Sequence, residues 1–263
     1  MGHTGTLDPM ATGLLPVCLG EATKFSSYLL NADKTYESLI RLGYKSSTGD
    51  SEGQIIKQNI NKIPSLATIK KVLQKFKGQI DQLPPMYSAL KHKGKPLYLY
   101  ARDGVDISRP KRKVIIYAIE ILDFQEDKLK LKIKCSKGTY IRTLAEDIGE
   151  QLNVGAYLLE LVRTNIGHLN IEKTLKIKQI EQMKDEDRLK ILFPIETLLA
   201  NYKKIILKIN EENAIKNGKI VKKIKKMPGY YRLFNKGAKF LGLGEVDETE
   251  NLKVKRLISE LKN

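Results

Sequence analysis

The sequence predicts an α/β protein of the α+β type: a mixed, mostly antiparallel central sheet flanked by helices, then a small β-rich C-terminal domain. Three observations carry that prediction. Strand-like alternation dominates the middle of the chain, where Leu129, Leu131, Ile133 and Cys135 alternate with Lys128, Lys130, Lys132 and Lys134. Helical stripes are few and short; the clearest is Leu66, Ile69, Val72, Leu73 and Phe76. Composition shifts near residue 202, after which short β-like pieces are split by Pro228-Gly229, Lys236-Gly237 and Gly242-Leu243-Gly244.

In chain order, residues 2–13 come first: Gly-His-Thr-Gly-Thr-Leu-Asp-Pro-Met-Ala-Thr-Gly. Pro9 fixes its own φ and biases Asp8 toward extended backbone, so a stiff loop presenting one carboxylate is expected. Asp before Pro alone commonly marks an Asx-turn, but the whole string is too specific for that reading. Leu14 to Gly20 reads as a short buried strand, and Glu21 to Leu30 as a helical stretch. Lys34 to Tyr44 reads as a strand with Tyr36, Ser38, Ile40 and Leu42 on one face.

Residues 45–53 are a polar turn, expected to be solvated; Asp50 and Glu52 are too few for a metal site. Ser65 is the N-cap expected for a helix over 65–77, with Gly78 as its stop. Residues 82–113 carry eight bases against Asp103 and Asp106, with Tyr87, Tyr98 and Tyr100 interleaved, and read as a nucleic-acid-contacting insertion. Strands follow at 114–122 and 128–135. A helix runs on from Lys137-Gly138-Thr139-Tyr140-Ile141-Arg142 through Leu152, with Leu144, Ile148 and Leu152 as its stripe. Residues 156–164 read as a helix passing into extended chain, and 184–199 as a helix interrupted at Pro194. Domain boundaries are expected at 1–201 and 202–263.

The net charge of +17 points to a polyanionic partner. Residues 202–263 hold 16 Lys and Arg against 7 Asp and Glu, about half of that charge. No apolar run reaches the ~18–20 residues a membrane span needs, so nucleic acid is favoured over a membrane. Two cysteines, Cys18 and Cys135, exclude a disulfide framework and a cysteine-rich metal site. Nothing resembling a signal peptide precedes the Asp8 loop, and a cytoplasmic location is expected.

Few catalytic sets are available. His3, His92 and His168 lack metal-ligand spacing, and no phosphate loop, dinucleotide fingerprint or nucleophile elbow is present. What remains is a loop carboxylate, an arginine and tyrosines, with no metal and no cofactor signature. A carboxylate can serve as nucleophile or base, and a nearby arginine would hold it charged and oriented.

The Asp8 loop with Leu14 to Lys24, then Tyr36, Pro84-Pro85-Met86-Tyr87-Ser88-Ala89-Leu90-Lys91, Lys137 to Arg142 and Leu161-Val162-Arg163-Thr164, resembles the TruB-type tRNA pseudouridine-55 synthases. Gly218 and Phe240 to Glu245 are similar to a PUA domain. The resemblance implies isomerisation of uridine 55 in the tRNA T loop, by one chain acting as a monomer without a protein partner. Asp8 matches the nucleophile, Arg142 the arginine paired with it, and Tyr36 the tyrosine that stacks on the target base and is a candidate for removing the C5 proton. Tyr140 and Leu161 match substrate-pocket positions, and His3 a histidine that holds the flipped-out RNA loop. Whether the aspartate adds to the base, attacks the sugar or deprotonates C2′ stays open. Two departures are noted. The family usually has a further strand ahead of the Asp8 loop, without which a sheet edge would be exposed and a catalytically weak tRNA-binding or RNA-folding module is the alternative. Val162-Arg163 stands where two arginines are more usual, which removes one phosphate contact.

Overall fold

The structure, a computed structural model, describes residues 1–259. The last four residues of the expected C-terminal domain lie outside the described residues. The chain forms two compact units: Leu7–Leu14 with Ala32–Thr174, and Met1–Thr6 with Leu15–Asn31 and Leu175–Asn263.

The first unit is built on a seven-stranded sheet. Its long strands are β1 (Lys34–Leu42), β2 (Gly78–Gln82), β3 (Arg112–Gln125), β4 (Lys128–Cys135) and β5 (Ala156–Ile166). Their spatial order is β5-β1-β4-β3-β2, all antiparallel, with Leu169–Asn170 beside β5. One parallel pair completes it, Thr12–Gly13 against Val162–Arg163 of β5. Two helices cover one face: α1 (Leu66–Gln74) and α2 (Ile141–Gln151). The alternation of β4 does what the sequence predicts, burying Leu129, Leu131, Ile133 and Cys135 while its lysines face out. Ser65 caps α1 by accepting a hydrogen bond from the Thr68 amide at 3.3 Å. Ile69, Val72, Leu73 and Phe76 pack with Ile40, Leu42, Ile116, Leu144 and Ile148 in a single core.

The second unit carries a four-stranded sheet of β6 (Lys203–Ile206), β7 (Gly229–Phe234), β8 (Phe240–Val246) and β9 (Leu252–Leu257), in that order. The β6–β7 pair is parallel and the other two are antiparallel. Helix α3 (Ile209–Lys216) buries Ile215 in the core formed with Ile205, Leu233 and Leu252.

Three local expectations change. Residues 156–164 contain no helix; they belong to β5, an interior strand buried on both faces along much of its length. Such a strand loses the alternating pattern and reads as a continuous apolar run, which resembles a buried helix. The strand expected over Leu14 to Gly20 shrinks to Val17–Cys18, with Leu15, Val17 and Leu19 exposed. Pro16 offers no ladder N–H there. The polar turn over 45–53 is not fully solvated, because Asp50 is buried.

Candidate active site

Asp8 opens a tight turn. The Ala11 amide donates to the Asp8 carbonyl at 2.9 Å, with Pro9 in the position where its fixed φ suits a turn. The chain then lies beside β5 at Thr12–Gly13. Gly13 has φ +105°, and a Cβ there would fall 2.4 Å from the Arg163 carbonyl oxygen, so only glycine fits. The Leu14 amide donates to that same carbonyl at 2.8 Å, and Arg163 Nε donates back to the Leu14 carbonyl at 2.9 Å. Arg163 is 2% exposed. Its side chain and carbonyl together bolt the Asp8 loop to the sheet.

Arg142 is the second residue of α2 and is almost fully buried. Its guanidinium fork meets four oxygens: Nε donates to Asp8 Oδ2 at 2.8 Å, Nη2 to the Tyr87 carbonyl at 2.6 Å and Nη1 to the Thr48 carbonyl at 3.1 Å, with Asp50 Oδ2 at 3.3 Å. A buried guanidinium must have such partners, and its planar fork suits several fixed acceptors at once. Asp50 is itself saturated from inside: its Oδ1 accepts from Thr48 Oγ1 and the Glu52 amide, and its carbonyl accepts from Ser46 Oγ. The turn carrying it is tied to β5 through the Leu158 amide, which donates to the Gly49 carbonyl at 3.0 Å.

The start of α2 is placed by Gln82. Its buried amide accepts from the Tyr140 amide at 2.7 Å and donates to the Tyr140 carbonyl at 2.9 Å. Tyr140, the N-cap of α2, therefore stands next to Arg142 with its backbone clamped. Burial raises its phenol pKa. Tyr36 sits on β1, registered against Ile133 on one side and Arg163 on the other. Burial pushes its phenol up to about 12, and the Arg163 guanidinium opposes only part of that. Leu161, on β5, is buried, and Tyr36, Met10 and Ala11 pack against the core it belongs to.

The residues singled out in the sequence thus separate into two groups. Asp8, Arg142, Tyr140, Tyr36 and Leu161 all lie in the sheet unit, Asp8 and Arg142 in direct contact. His3 lies in the other unit, exposed on the two-residue strand Gly2–His3 that pairs with Val17–Cys18; its Nδ1 accepts from the Gly5 amide at 3.4 Å. Sequence reasoning missed the parts played by Asp50, Gln82, Arg163 and the Tyr87 carbonyl. Asp50 hides in a Ser/Thr/Gly turn that reads as solvent-facing, and nothing in the order of residues tells that Gln82 caps a helix 58 positions away. The segment over 82–113 takes part in the site itself, because its Tyr87 carbonyl completes the cradle of Arg142.

Beside this cradle lies a cleft of about 410 Å³, lined by Thr48, Met86, Tyr87, Thr143, Glu146 and Asp147 among others. Burial pushes the Glu146 carboxyl up to about 7, helped by the charges of Asp147, Glu150 and Asp50 and opposed by Arg142. Asp147 is raised to about 6, again chiefly by burial. Among the described residues, no group of three or more His, Cys, Asp and Glu is placed to hold a metal, and no helix is long and apolar enough to cross a membrane.

The arrangement is chemically specific. One carboxylate, a third exposed, is held from behind by a buried cation and lies close enough to the Tyr36 and Tyr140 rings for its charge to act on both phenols. It can present a charged oxygen to a ligand while a planar group stacks on a ring.

Comparisons with known proteins agree over nearly the whole chain. The family described as "TruB family pseudouridylate synthase (N terminal domain)" matches residues 1–141, "tRNA pseudouridylate synthase B C-terminal domain" matches 142–200 and "Pseudouridine synthase II TruB, C-terminal" matches 204–258. The tRNA pseudouridine synthase B of Azoarcus sp. is 46% identical over 258 residues, covering 98% of this chain and 85% of the relative. That of Nitrosomonas europaea is 43% identical over 267 residues, covering 98% and 86%. Among solved structures, a Cbf5-Nop10-Gar1 complex contains a chain similar at TM-score 0.71 and 25% identity, covering 97% of this chain and 75% of that one. A chain of an H/ACA RNP bound to a substrate RNA containing 2′-deoxyuridine shares the fold at TM-score 0.70 and 23% identity, covering 98% and 76%.

Proposed function

The chain belongs to the TruB family of pseudouridine synthases, and from that premise we propose that it isomerises uridine 55 in the T loop of tRNA to pseudouridine, with Asp8 as nucleophile. The observation that carries the reading is the ion pair between Arg142 Nε and Asp8 Oδ2 at 2.8 Å, formed by residues 134 positions apart. The pair sets a nearly buried cation behind a carboxylate that keeps an accessible side, the arrangement expected of a functional site.

The reaction breaks the N1–C1′ bond, turns the freed uracil and forms a C5–C1′ bond; the C5 proton is lost and N1 gains one. Atoms and electrons balance within the substrate. Three routes start from the carboxylate: addition to the base, attack on the sugar, or removal of a C2′ proton. Each needs the oxygen aimed and the base out of its stack. Arg142 does the aiming, because its other donors are anchored on Thr48, Tyr87 and Asp50. Tyr36 supplies a flat platform and Leu161 an apolar shelf; such stacking contributes roughly 1–3 kcal/mol per base. With its pKa near 12, Tyr36 is a neutral phenol at physiological pH, which supports the platform role. To take the C5 proton it must first give up its own.

Tyr140, the N-cap of the helix that carries Arg142, is assigned to the substrate pocket, and His3 to holding the loop of the RNA. The segment over 82–113 and the lysine-rich part beyond residue 202 supply cations for the backbone of the T arm. Residues 1–201 are assigned to catalysis and 202–263 to a PUA-like RNA-binding domain, in a cytoplasmic protein working as a monomer without protein partners.

The test is tritium release from tRNA transcript labelled at C5 of uridine. Turnover at a single site, abolished by Asp8→Asn with tRNA binding kept, supports the enzyme. Tight tRNA binding by the unaltered chain without any release would instead leave an RNA-binding module. Binding should also weaken steeply with salt, and a flat response would sink the electrostatic part of the reading.

A further inference from the structure

Glu146 lies one turn along α2 from Arg142 and takes no part in the reaction as described above. Helical spacing puts it on the same flank as Arg142. Its carboxylate sits against the backbone of Gly49: a Cβ on Gly49 would fall 3.1–3.2 Å from the Glu146 carboxylate atoms. Gly49 has φ +77° and is flanked by the two residues that hold Arg142, Thr48 through its carbonyl and Asp50 through its carboxylate. Glu146, in the lining of the cleft, therefore props the turn that grips the arginine.

We propose that Glu146 is a positioning residue for Arg142, and that the proton it carries sets how much of the arginine's charge is committed to Asp8. Protonated, Glu146 is a neutral prop, and Arg142 answers to Asp8 and Asp50 alone. Ionised, it adds a third carboxylate to the field of one guanidinium and draws on the same charge. The groups facing it are Asp147 and Glu150 on α2, Arg142 on the same helix, Asp50 on the propped turn, Lys45 on the strand before that turn and Arg109 across the cleft. Burial and the three neighbouring acids hold the proton on until about pH 7, so the change falls in the working range.

The inference rests on Asp8 and Arg142 being the catalytic pair. Its test is the single-turnover rate on tRNA, with enzyme in excess and saturating, from pH 5.5 to 8.5. In the unaltered chain the rate should fall roughly threefold as pH rises through 7, the size expected of one charge several ångströms away in a wet, high-dielectric cleft. Glu146→Gln keeps the shape of the prop and should abolish that inflection while leaving tRNA affinity unchanged. Asp147→Asn removes one of the charges that raise Glu146, so the inflection should survive and move to lower pH. An inflection unchanged in Glu146→Gln, or no inflection near 7 in the unaltered chain, overturns the proposal. A loss of rate in Glu146→Gln that is equal at every pH assigns the residue a purely structural role and overturns it too. Asp8→Asn run alongside separates the two levels: if it remains active the catalytic pair itself is wrong, whatever Glu146 does.

Discussion

Two aspartates reach the same guanidinium from two different turns, and they are not equivalent. Asp8 sits in a Gly- and Pro-bearing turn, with its side chain 33% exposed and one oxygen on Arg142. Asp50 sits in a Ser/Thr turn, 3% exposed, and its other oxygen is taken up by Thr48 and Glu52. The same residue type with the same partner is left open in one place and closed in the other. What differs is the supply of local donors. A Ser/Thr/Gly turn quenches its carboxylate, whereas the Asp8 turn spends its hydrogen bonding on backbone and leaves the carboxylate an accessible side.

Substitutions can break that contrast, and the largest effect should come at Asp8. Asp8→Asn should cut the single-turnover rate by on the order of a thousandfold or more, while the thermal midpoint stays within a few degrees, as measured by tritium release and calorimetry. Arg142→Met should fail on both counts. It strands buried Asp50 as well as Asp8, at a cost of about 3–5 kcal/mol by denaturant unfolding, whereas Arg142→Lys should keep most of the stability and lose much of the rate because an ammonium cannot fork to four acceptors. Asp50→Asn should be intermediate, slowing catalysis by about 10–100-fold through a misplaced arginine with tRNA affinity unchanged. An Asp50→Asn enzyme as inert as Asp8→Asn would show that the two aspartates are not divided as argued.

Smaller effects sharpen the picture. Glu146 and Asp147 have folded pKa values of about 7 and 6, above their ordinary 4.5 and 3.8. The native state therefore binds protons more tightly than the unfolded chain, so their stabilising contribution is full below about pH 4 and is lost as pH rises through 7. The thermal midpoint should decline from pH 5 to 8, and Glu146→Gln should flatten the decline. The smallest change tests the periphery: Ser65→Ala, removing the N-cap of α1, should cost about 1 kcal/mol and leave the rate alone.

Several features were readable without coordinates because their causes are local. The alternation of β4 is a period-2 pattern with one dry face, and the Ser65 cap is a property of four neighbouring residues. The stiffening by Pro9 likewise follows from backbone preferences, whereas the need for glycine at 13 comes from the Arg163 carbonyl, far away in sequence. The helix expected over 156–164 failed for the converse reason. Leu158, Leu161 and Val162 form an apolar run because both faces of β5 are covered along much of its length, and that is a fact about the elements packed on β5 rather than about β5 itself.

The one-dimensional chain by itself determined the class of fold, the basic character that implies a nucleic-acid partner, and, by elimination, a single loop carboxylate as the chemistry-bearing group. Resemblance to a family added which residues to pair with it. Only the tertiary structure decided that Arg163 faces inward as a bolt, that Gln82 clamps the start of α2, and that Asp50 is the buried counterpart of Asp8. Each of these depends on which polar groups are shut away from water together. A buried charge or amide must find its partners wherever the fold brings them, and sequence distance carries no record of that. The Asp8–Arg142 pair, 134 residues apart, is the plainest instance.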